Sequence, residues 1–259
     1  MKKGRLVNVG LGMTLGSHIT PLARNFIEKA DVVFVAASNE LIEEWVKTMN
    51  PQVISLQSYY QEGLSRMVTY ENMVAAIMAE VRVGKQVCGA FYGHPGVFAW
   101  PPHESIKQAK AEGYQAHMEP GISAEDCLYA DLGIDPGKFG CAHFEASQFV
   151  FNHRVFDPSA YLVLWQIAMA GDKTMKTFTT EPAQRQMLVD LLMKTYAADH
   201  EVILYECPVL PIEQTVIVKC QLKDLAHQNV SLKSTLVVPP DRPKRKNHES
   251  LYAAEKWHE

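Results

Sequence analysis

The chain has 259 residues, 47% of them hydrophobic, which is enough apolar material for one large or two modest packed domains. A net charge of -4, with a single basic cluster at Lys244–Lys246, excludes a broad nucleic-acid surface. No apolar run reaches the ~18 residues of a membrane span, and the Met-Lys-Lys-Gly start leads into a strand rather than a signal-peptide core, so a cytoplasmic protein is expected.

The first strand is RLVNVG (Arg5–Gly10), followed by a glycine loop to Gly16 and a helix from about Thr20, with Pro21 at its first position. Strand, glycine loop and helix suggest a dinucleotide fingerprint. However, the third glycine comes one place late, and the second strand VVFVA (Val32–Ala36) ends without the acid that would hold a ribose. Ser38 can cap a second helix (Leu41–Met49), and VISL (Val53–Leu56) reads as a third strand before a tyrosine-rich segment. From Thr69 to Val83, Met73, Val74, Ile77, Met78 and Val81 recur at helical spacing, which predicts an amphipathic helix packed on the sheet.

The apolar run QVCGAF (Gln86–Phe91) reads as a buried parallel strand, and it leads into the turn FYGHPGVFAWPP (Phe91–Pro102). In this turn glycines allow close approach of a ligand to backbone, Pro95 stiffens the loop, and Pro101 and Pro102 suit the first turn of a helix. A strand-to-helix turn without a ligand is the plainer alternative. A helix to about Gly113, the strand YQAHM and the loop Glu119–Asp126 opening another helix complete an open α/β sheet.

After Asp157-Pro158 come four strands, Tyr161–Ala168, Glu201–Glu206, Thr215–Cys220 and Ser234–Val238, with one clear helix at Glu181–Ala197. These predict a mixed, largely antiparallel sheet. The domain reading is 1–120, an N-terminal α/β domain, then 121–240, a second α/β domain, then a polar tail 241–259 with one short helix at Ser250–Trp257. The five cysteines (Cys88, Cys127, Cys141, Cys207, Cys220) are scattered and read as free thiols. The ten histidines lack HExxH or HxH spacing, and Cys141 with His143 is an isolated pair, so no metal is expected.

Three strand-end loops, Gly10–Gly16, Tyr92–Phe98 and Pro120–Ala124, should gather at the carboxyl edge of one sheet. None has the Lys and Ser/Thr of a phosphate-cradling loop, so a nucleoside of lower charge fits better than a nucleotide triphosphate.

The ordered set VGLGMTLGSHITPLA, YGHPGVFAWPP, EPGISAEDCLYADLGIDP and KSTLVVPP resembles the tetrapyrrole-methylase superfamily of S-adenosylmethionine-dependent enzymes over residues 5–240. Many members of that superfamily have Gly-Asp-Pro in the central loop, where this chain has Gly93-His94-Pro95. That form, with LQSYYQEGLSRMVTYENM (Leu56–Met73), is similar to the borosin branch, which methylates backbone amide nitrogens of a ribosomally made peptide. The resemblance implies a tetrapyrrole methylase-like α/β fold and S-adenosylmethionine as cofactor, released as S-adenosylhomocysteine. It implies cofactor contacts from Tyr92, His94, Val97, Phe98, Ser123 and Ala124, and from Gln166, Tyr205 and Thr235 in the second domain. Gln166 is expected within an apolar strand, where its amide requires a ligand or an internal hydrogen bond.

A backbone amide is a poor nucleophile because its lone pair is delocalised into the carbonyl. Its methylation requires a group to take or relay the N–H proton and a cation or donor to stabilise charge on oxygen. With the resemblance in hand, Tyr60, Arg66 and Tyr70 are assigned these roles, with Tyr92 shaping the site. Arg66 and Tyr70 are four residues apart and can share a helix face, a bend at Gly63 can return Tyr60 to them, and a tyrosine beside Arg is expected to have a lowered pKa. Tyr59 competes for the role of Tyr60, and a peptide-binding rim or solvated helix start is the plainer reading of the cluster.

In the fungal relatives the methylase continues into the peptide it modifies. Here the tail has no apolar peptide of that kind, so a split, bacterial-like form is expected, its precursor docking as a separate chain through a leader or helical domain. The resemblance also implies a homodimer, hence a heterotetramer with two precursors, with neither nucleic acid nor membrane as partner. A methylase of a tetrapyrrole, small molecule or RNA is a second reading, and a non-catalytic peptide-binding protein a third.

Overall fold

Five short apolar runs build the first sheet: β1 (Arg5–Gly10), β2 (Val32–Ala36), β3 (Val53–Ser55), β4 (Gln86–Phe91) and β5 (Gln115–Met118). The computed structural model describes residues 3–60, 64–173 and 179–241. The strand order is β3-β2-β4-β1-β5, and every neighbouring pair is parallel. Parallel neighbours need crossovers, which α1 (Pro21–Lys29), α2 (Glu40–Lys47), α3 (Arg66–Arg82) and α4 (Trp100–Ala111) supply.

Alternation along the strands divides the core between two faces. Val7, Val9, Val33 and Val35 pack with Ala23 and Ile27 of α1 and Ile42 and Val46 of α2. Leu6, Val32, Phe34 and Val87 pack with Met73, Ile77, Met78 and Val81 of α3. Truncating a fully buried member such as Ile77 to Ala would cost about 2–5 kcal/mol. Covered on both faces, β1 and β4 are buried from Leu6 to Gly10 and from Val87 to Phe91. They are the rigid centre from which the first two strand-end loops depart.

The second sheet comprises β6 (Cys141–Glu145), β7 (Tyr161–Trp165), β8 (Glu201–Glu206), β9 (Val216–Gln221) and β10 (Thr235–Val238), in the order β6-β7-β10-β8-β9. It is mixed, because β6 runs parallel to β7 while β10 runs antiparallel to it. Four further helices follow among the described residues: α5 (Ala124–Leu132), α6 (Pro136–Phe139), α7 (Ala146–Phe151) and α8 (Pro182–Leu192). Leu162, Leu164, Leu236 and Val238 pack there with Leu188, Val189 and Leu192 of α8. By compactness, one unit is Met1–Ile134 with Asp172–Thr180 and Tyr205–Ile217, and the other is Asp135–Gly171 with Glu181–Leu204 and Val218–Glu259.

The expected α/β fold class, with a parallel first sheet and a mixed second, is what the structure has. Local details differ. Asn39 rather than Ser38 caps α2, its Oδ1 accepting from Leu41 N at 2.8 Å. Helix α3 starts at Arg66 instead of Thr69 because Ser65 caps it, accepting from Met67 N at 3.4 Å. Strand β7 stops at Trp165, α8 stops at Leu192, and β6, α6 and α7 were not expected. The Gly63 bend, the Lys244–Lys246 cluster and the helix expected at Ser250–Trp257 lie outside the described residues.

All five cysteines are free, and burial pushes the Cys88 thiol up to about 12, which leaves it protonated and inert. Among the described residues, no helix is long and apolar enough to cross a membrane, and no group of three or more His, Cys, Asp or Glu side chains could hold a metal ion.

Candidate active site

The three expected loops meet backbone to backbone. Gly12 N donates to Gly93 O at 3.2 Å and Gly93 N to Gly12 O at 2.8 Å, which joins the loops after β1 and β4. A Cβ on Gly121 would lie 2.5 Å from Gly93 O and 2.8 Å from Gly10 Cα, so the loop after β5 closes against both. A Cβ on Gly10 would in turn collide with Gly93 O. These glycines are required by close approach of three main chains, whereas the spacing of a dinucleotide fingerprint serves one turn.

The central loop leaves β4 through Tyr92 and turns at His94, whose O accepts from Val97 N at 3.2 Å. Pro95 occupies the second position of that turn, and His94 Nδ1 accepts from Gly96 N at 2.9 Å. Phe98 then adopts φ 50, a conformation rare for a residue with a side chain. Tyr92 and Phe98 are each 47% exposed, and Trp100, the first residue of α4, is 36% exposed. Glycine backbone flanked by exposed rings suits a nucleoside, so these loops fit S-adenosylmethionine in chemical character.

Beside them lies a cluster of aromatic residues and arginine. Tyr60 ends a 3-10 turn (Gln57–Tyr59) that Thr69 of α3 anchors, its Oγ1 donating to Tyr59 O at 3.3 Å. Arg66 and Tyr70, one turn apart in α3, follow. The rings of Tyr60 and Tyr70 meet edge to face with centroids 6.4 Å apart. Tyr70, Tyr92 and Arg66 all act electrostatically on the Tyr60 phenol. It is thus Tyr60, rather than Tyr59, whose ring meets Tyr70.

The expectation of a lowered tyrosine pKa is corrected for Tyr60. Burial first, then Tyr70 and Tyr92, hold its phenol well above the ordinary value, and the opposing pull of Arg66 is the smallest influence. Burial also raises the Tyr92 phenol, with a smaller push from Tyr70. The Tyr92 side chain nevertheless keeps 47% of its surface open. Atoms crowd its hydroxyl while part of the ring stays open.

The remaining candidates fall into three settings. Ser123 is occupied as the cap of α5, its N and Oγ donating to Asp126 Oδ2 at 2.7 and 2.8 Å. Ala124 follows at the first helical position, where a backbone N–H has no intrahelical acceptor. Tyr205 is fully buried and donates to Asp131 Oδ2 of α5 at 2.7 Å, while Thr215 Oγ1 donates to the same oxygen at 3.2 Å. In the other unit, Gln166 is not inside a strand as expected. It follows β7 in the left-handed region at φ 59 and is partly exposed. Ile167 N donates to Ser234 O at 3.4 Å, so Gln166 and Thr235 lie at adjoining chain segments.

Sequence reasoning missed Trp100, Asn8 and His103. Trp100 stacks on Tyr70 at 21° with centroids 6.4 Å apart, so Tyr70 has Tyr60 edge-on and Trp100 nearly parallel to it. Its adjacency to the Pro-Pro helix start was the available signal. Asn8, fully buried in β1, donates from Nδ2 to Pro102 O at 2.8 Å and to Ser105 Oγ at 3.1 Å, anchoring the first turn of α4. Gly89 opposite makes room for it, since a Cβ there would collide with Asn8 Oδ1.

Comparison with known proteins places this arrangement. The chain belongs to the tetrapyrrole (corrin/porphyrin) methylase family, whose profile matches residues 5–226. It is 40% identical over 241 residues to a methyltransferase/ribosomally synthesized cyclic peptide gymnopeptides precursor of Gymnopus fusipes, covering 92% of this chain and 57% of that one. A methyltransferase/type I borosin cyclic peptide precursor of Coprinopsis marcescibilis is 39% identical, with 95% of this chain and 64% of the relative covered. The omphalotin A precursor methyltransferase of Omphalotus olearius is 37% identical, with 95% and 60% covered. The chain thus spans about three-fifths of the length of these curated relatives. In fold it resembles uroporphyrin-III C-methyltransferase of Thermus thermophilus, with TM-score 0.67, 18% identity, and 95% and 99% of the two chains covered.

Proposed function

We propose that this protein is an S-adenosylmethionine-dependent methyltransferase acting on backbone amide nitrogens of a ribosomally made peptide. The observation that carries the proposal is the Tyr60–Arg66–Tyr70 cluster, linked through Tyr92 to the glycine loops. The names of the relatives, methyltransferases joined to cyclic-peptide precursors, support the same substrate class. In this reading Tyr92, His94, Val97 and Phe98 hold the cofactor with Ser123 and Ala124, and Gln166, Tyr205 and Thr235 complete the set. When bound, the cofactor supplies an electrophilic methyl group and leaves as S-adenosylhomocysteine.

The chain's own residues do the rest. Arg66 donates to the amide carbonyl and stabilises the imidate-like charge that grows there as the N–H proton leaves. Tyr60, held neutral by burial and edge to face with Tyr70, is the phenol that serves Tyr70 as a hydrogen-bond donor in this reading. Tyr70, as its phenolate, then takes the amide proton and becomes the neutral phenol, the Tyr60 hydroxyl and Arg66 having held its negative charge until the transfer. Trp100 keeps the Tyr70 ring in place.

The same proposal includes a peptide supplied in trans by a separate precursor and a homodimeric enzyme. Light scattering should then give twice the 29.1 kDa chain mass for the enzyme alone. The functional test is release of S-adenosylhomocysteine from protein, cofactor and a separate precursor peptide. Turnover should require the peptide and fall by about 100-fold or more in Arg66→Ala and Tyr70→Phe while cofactor affinity is kept. Normal single-turnover rates in both variants would overturn the assignment. Turnover with a tetrapyrrole but with no peptide would move the chain to the chemistry in its family's name.

A further inference from the structure

The Gly96 peptide unit of the central loop is gripped from both sides by imidazoles. His94 Nδ1 accepts from Gly96 N at 2.9 Å, and His103 Nε2 of α4 lies 2.9 Å from Gly96 O. A carbonyl oxygen only accepts, so His103 must donate from Nε2. A ring nitrogen accepting an N–H carries no proton, so His94 must be neutral with its proton on Nε2. The fit is close, because a Cβ on Gly96 would lie 2.7 Å from Met118 Sδ, 3.2 Å from His94 Cε1 and 3.3 Å from His103 Nε2.

We infer that His94, besides its proposed contact with the cofactor, joins His103 in clamping the cofactor loop through Gly96, and that this clamp opens when His94 takes up a proton. The inference rests on the proposed cofactor site. It also accounts for the departure of this loop from Gly-Asp-Pro. An aspartate at the first position of such a turn accepts the same N–H two residues on, through a carboxylate that keeps its acceptor until strongly acid pH. Histidine copies the geometry with a neutral acceptor that is lost once the ring nitrogen is protonated. Once protonated, His94 turns a donor towards the Gly96 N–H, and the turn that sets Tyr92, Val97 and Phe98 loses its brace.

Around Gly96, His94 is accompanied by the titratable His103 of α4 and by the uncharged Met118 thioether of β5. Glu104 beside His103 is occupied by Lys107 and Gln108 at 3.1 Å each, and Glu119 beyond β5 by His117 at 3.0 Å. His103, by contrast, can donate from Nε2 in either charge state, so its hydrogen bond to Gly96 O survives protonation.

The experiment has two parts. Nitrogen-15 NMR of the ligand-free protein at pH 8 should show both rings as Nε2–H tautomers. Calorimetry with S-adenosylhomocysteine should show wild-type affinity falling about five- to tenfold from pH 7.5 to 5.5. His94→Asp should cut that fall to less than about twofold. His103→Ala should weaken binding about three- to tenfold at every pH, with His103→Gln recovering part of it through its amide donor. Affinity of the wild type that is flat with pH, an unchanged slope in His94→Asp, or an Nδ1–H tautomer at either ring would overturn the inference. Correct tautomers with no cofactor binding at any pH would uphold the clamp and refute the proposed function instead.

Discussion

Replacing Gly121 by alanine puts a methyl group where main chain already stands. The added Cβ would sit 2.8 Å from Gly10 Cα, against about 3.5–4.0 Å for an ordinary carbon contact, so roughly 0.7 Å or more of backbone movement is needed. Neither neighbour yields easily: Gly10 ends the buried strand β1, and Gly93 is tied to Gly12 by two hydrogen bonds. Overpacking of this kind costs about 1–3 kcal/mol, a fall in Tm of roughly 2–12 °C for a chain of this size. Displacement of the loops should weaken S-adenosylmethionine binding tenfold to about a hundredfold. Gly113→Ala is the control, since its φ of 84 is strained for alanine but nothing lies within 4 Å of the new methyl. It should lower Tm and leave affinity alone. Thermal unfolding and calorimetry on both variants decide the matter. Wild-type affinity in Gly121→Ala, or equal loss in both, would refute the close packing of the three loops as the basis of the cofactor site.

Three further outcomes are expected. Tyr60→Phe keeps the edge-to-face ring and removes the hydroxyl proposed to serve Tyr70 as donor, so kcat should fall about 100- to 1000-fold with little change in KM, read by stopped-assay methyl transfer. Because the folded state holds the Tyr60 proton above the ordinary value of 10.0, the unfolded chain releases it first as pH rises. Denaturant unfolding should therefore show stability dropping from about pH 10 upward, less steeply in Tyr60→Phe. Tyr205→Phe should cost about 1–2 kcal/mol in the same assay, since Asp131 retains only the Thr215 hydroxyl of its two donors.

Much of the first sheet was legible because its signals are local. β1, β2 and β4 begin and end where apolar runs and flanking glycines place them, and Pro21 behind Thr20 marks the start of α1. The cofactor loops were legible through their glycines, although what those glycines do depends on three main chains meeting, which no single segment reveals. The second unit was harder. β6, α6 and α7 are four to six residues long, too short for a helical or strand period to emerge. In the cluster, residue identity suggested a phenol activated by Arg66. Burial and two neighbouring phenols reverse that direction at Tyr60, and burial is a property of the fold. His103 and Trp100 were missed because their partners, Gly96 and Tyr70, are reached through space across a turn and between helices.

The most direct test is where the methyl group goes. The protein, S-adenosylmethionine with a labelled methyl group and a separate precursor peptide are incubated, and the peptide is fragmented by tandem mass spectrometry. The account predicts labelled methyl groups on backbone nitrogens, absent with Tyr70→Phe. Label on side chains only, or a peptide left unmodified by a protein that binds both cofactor and peptide, would contradict it.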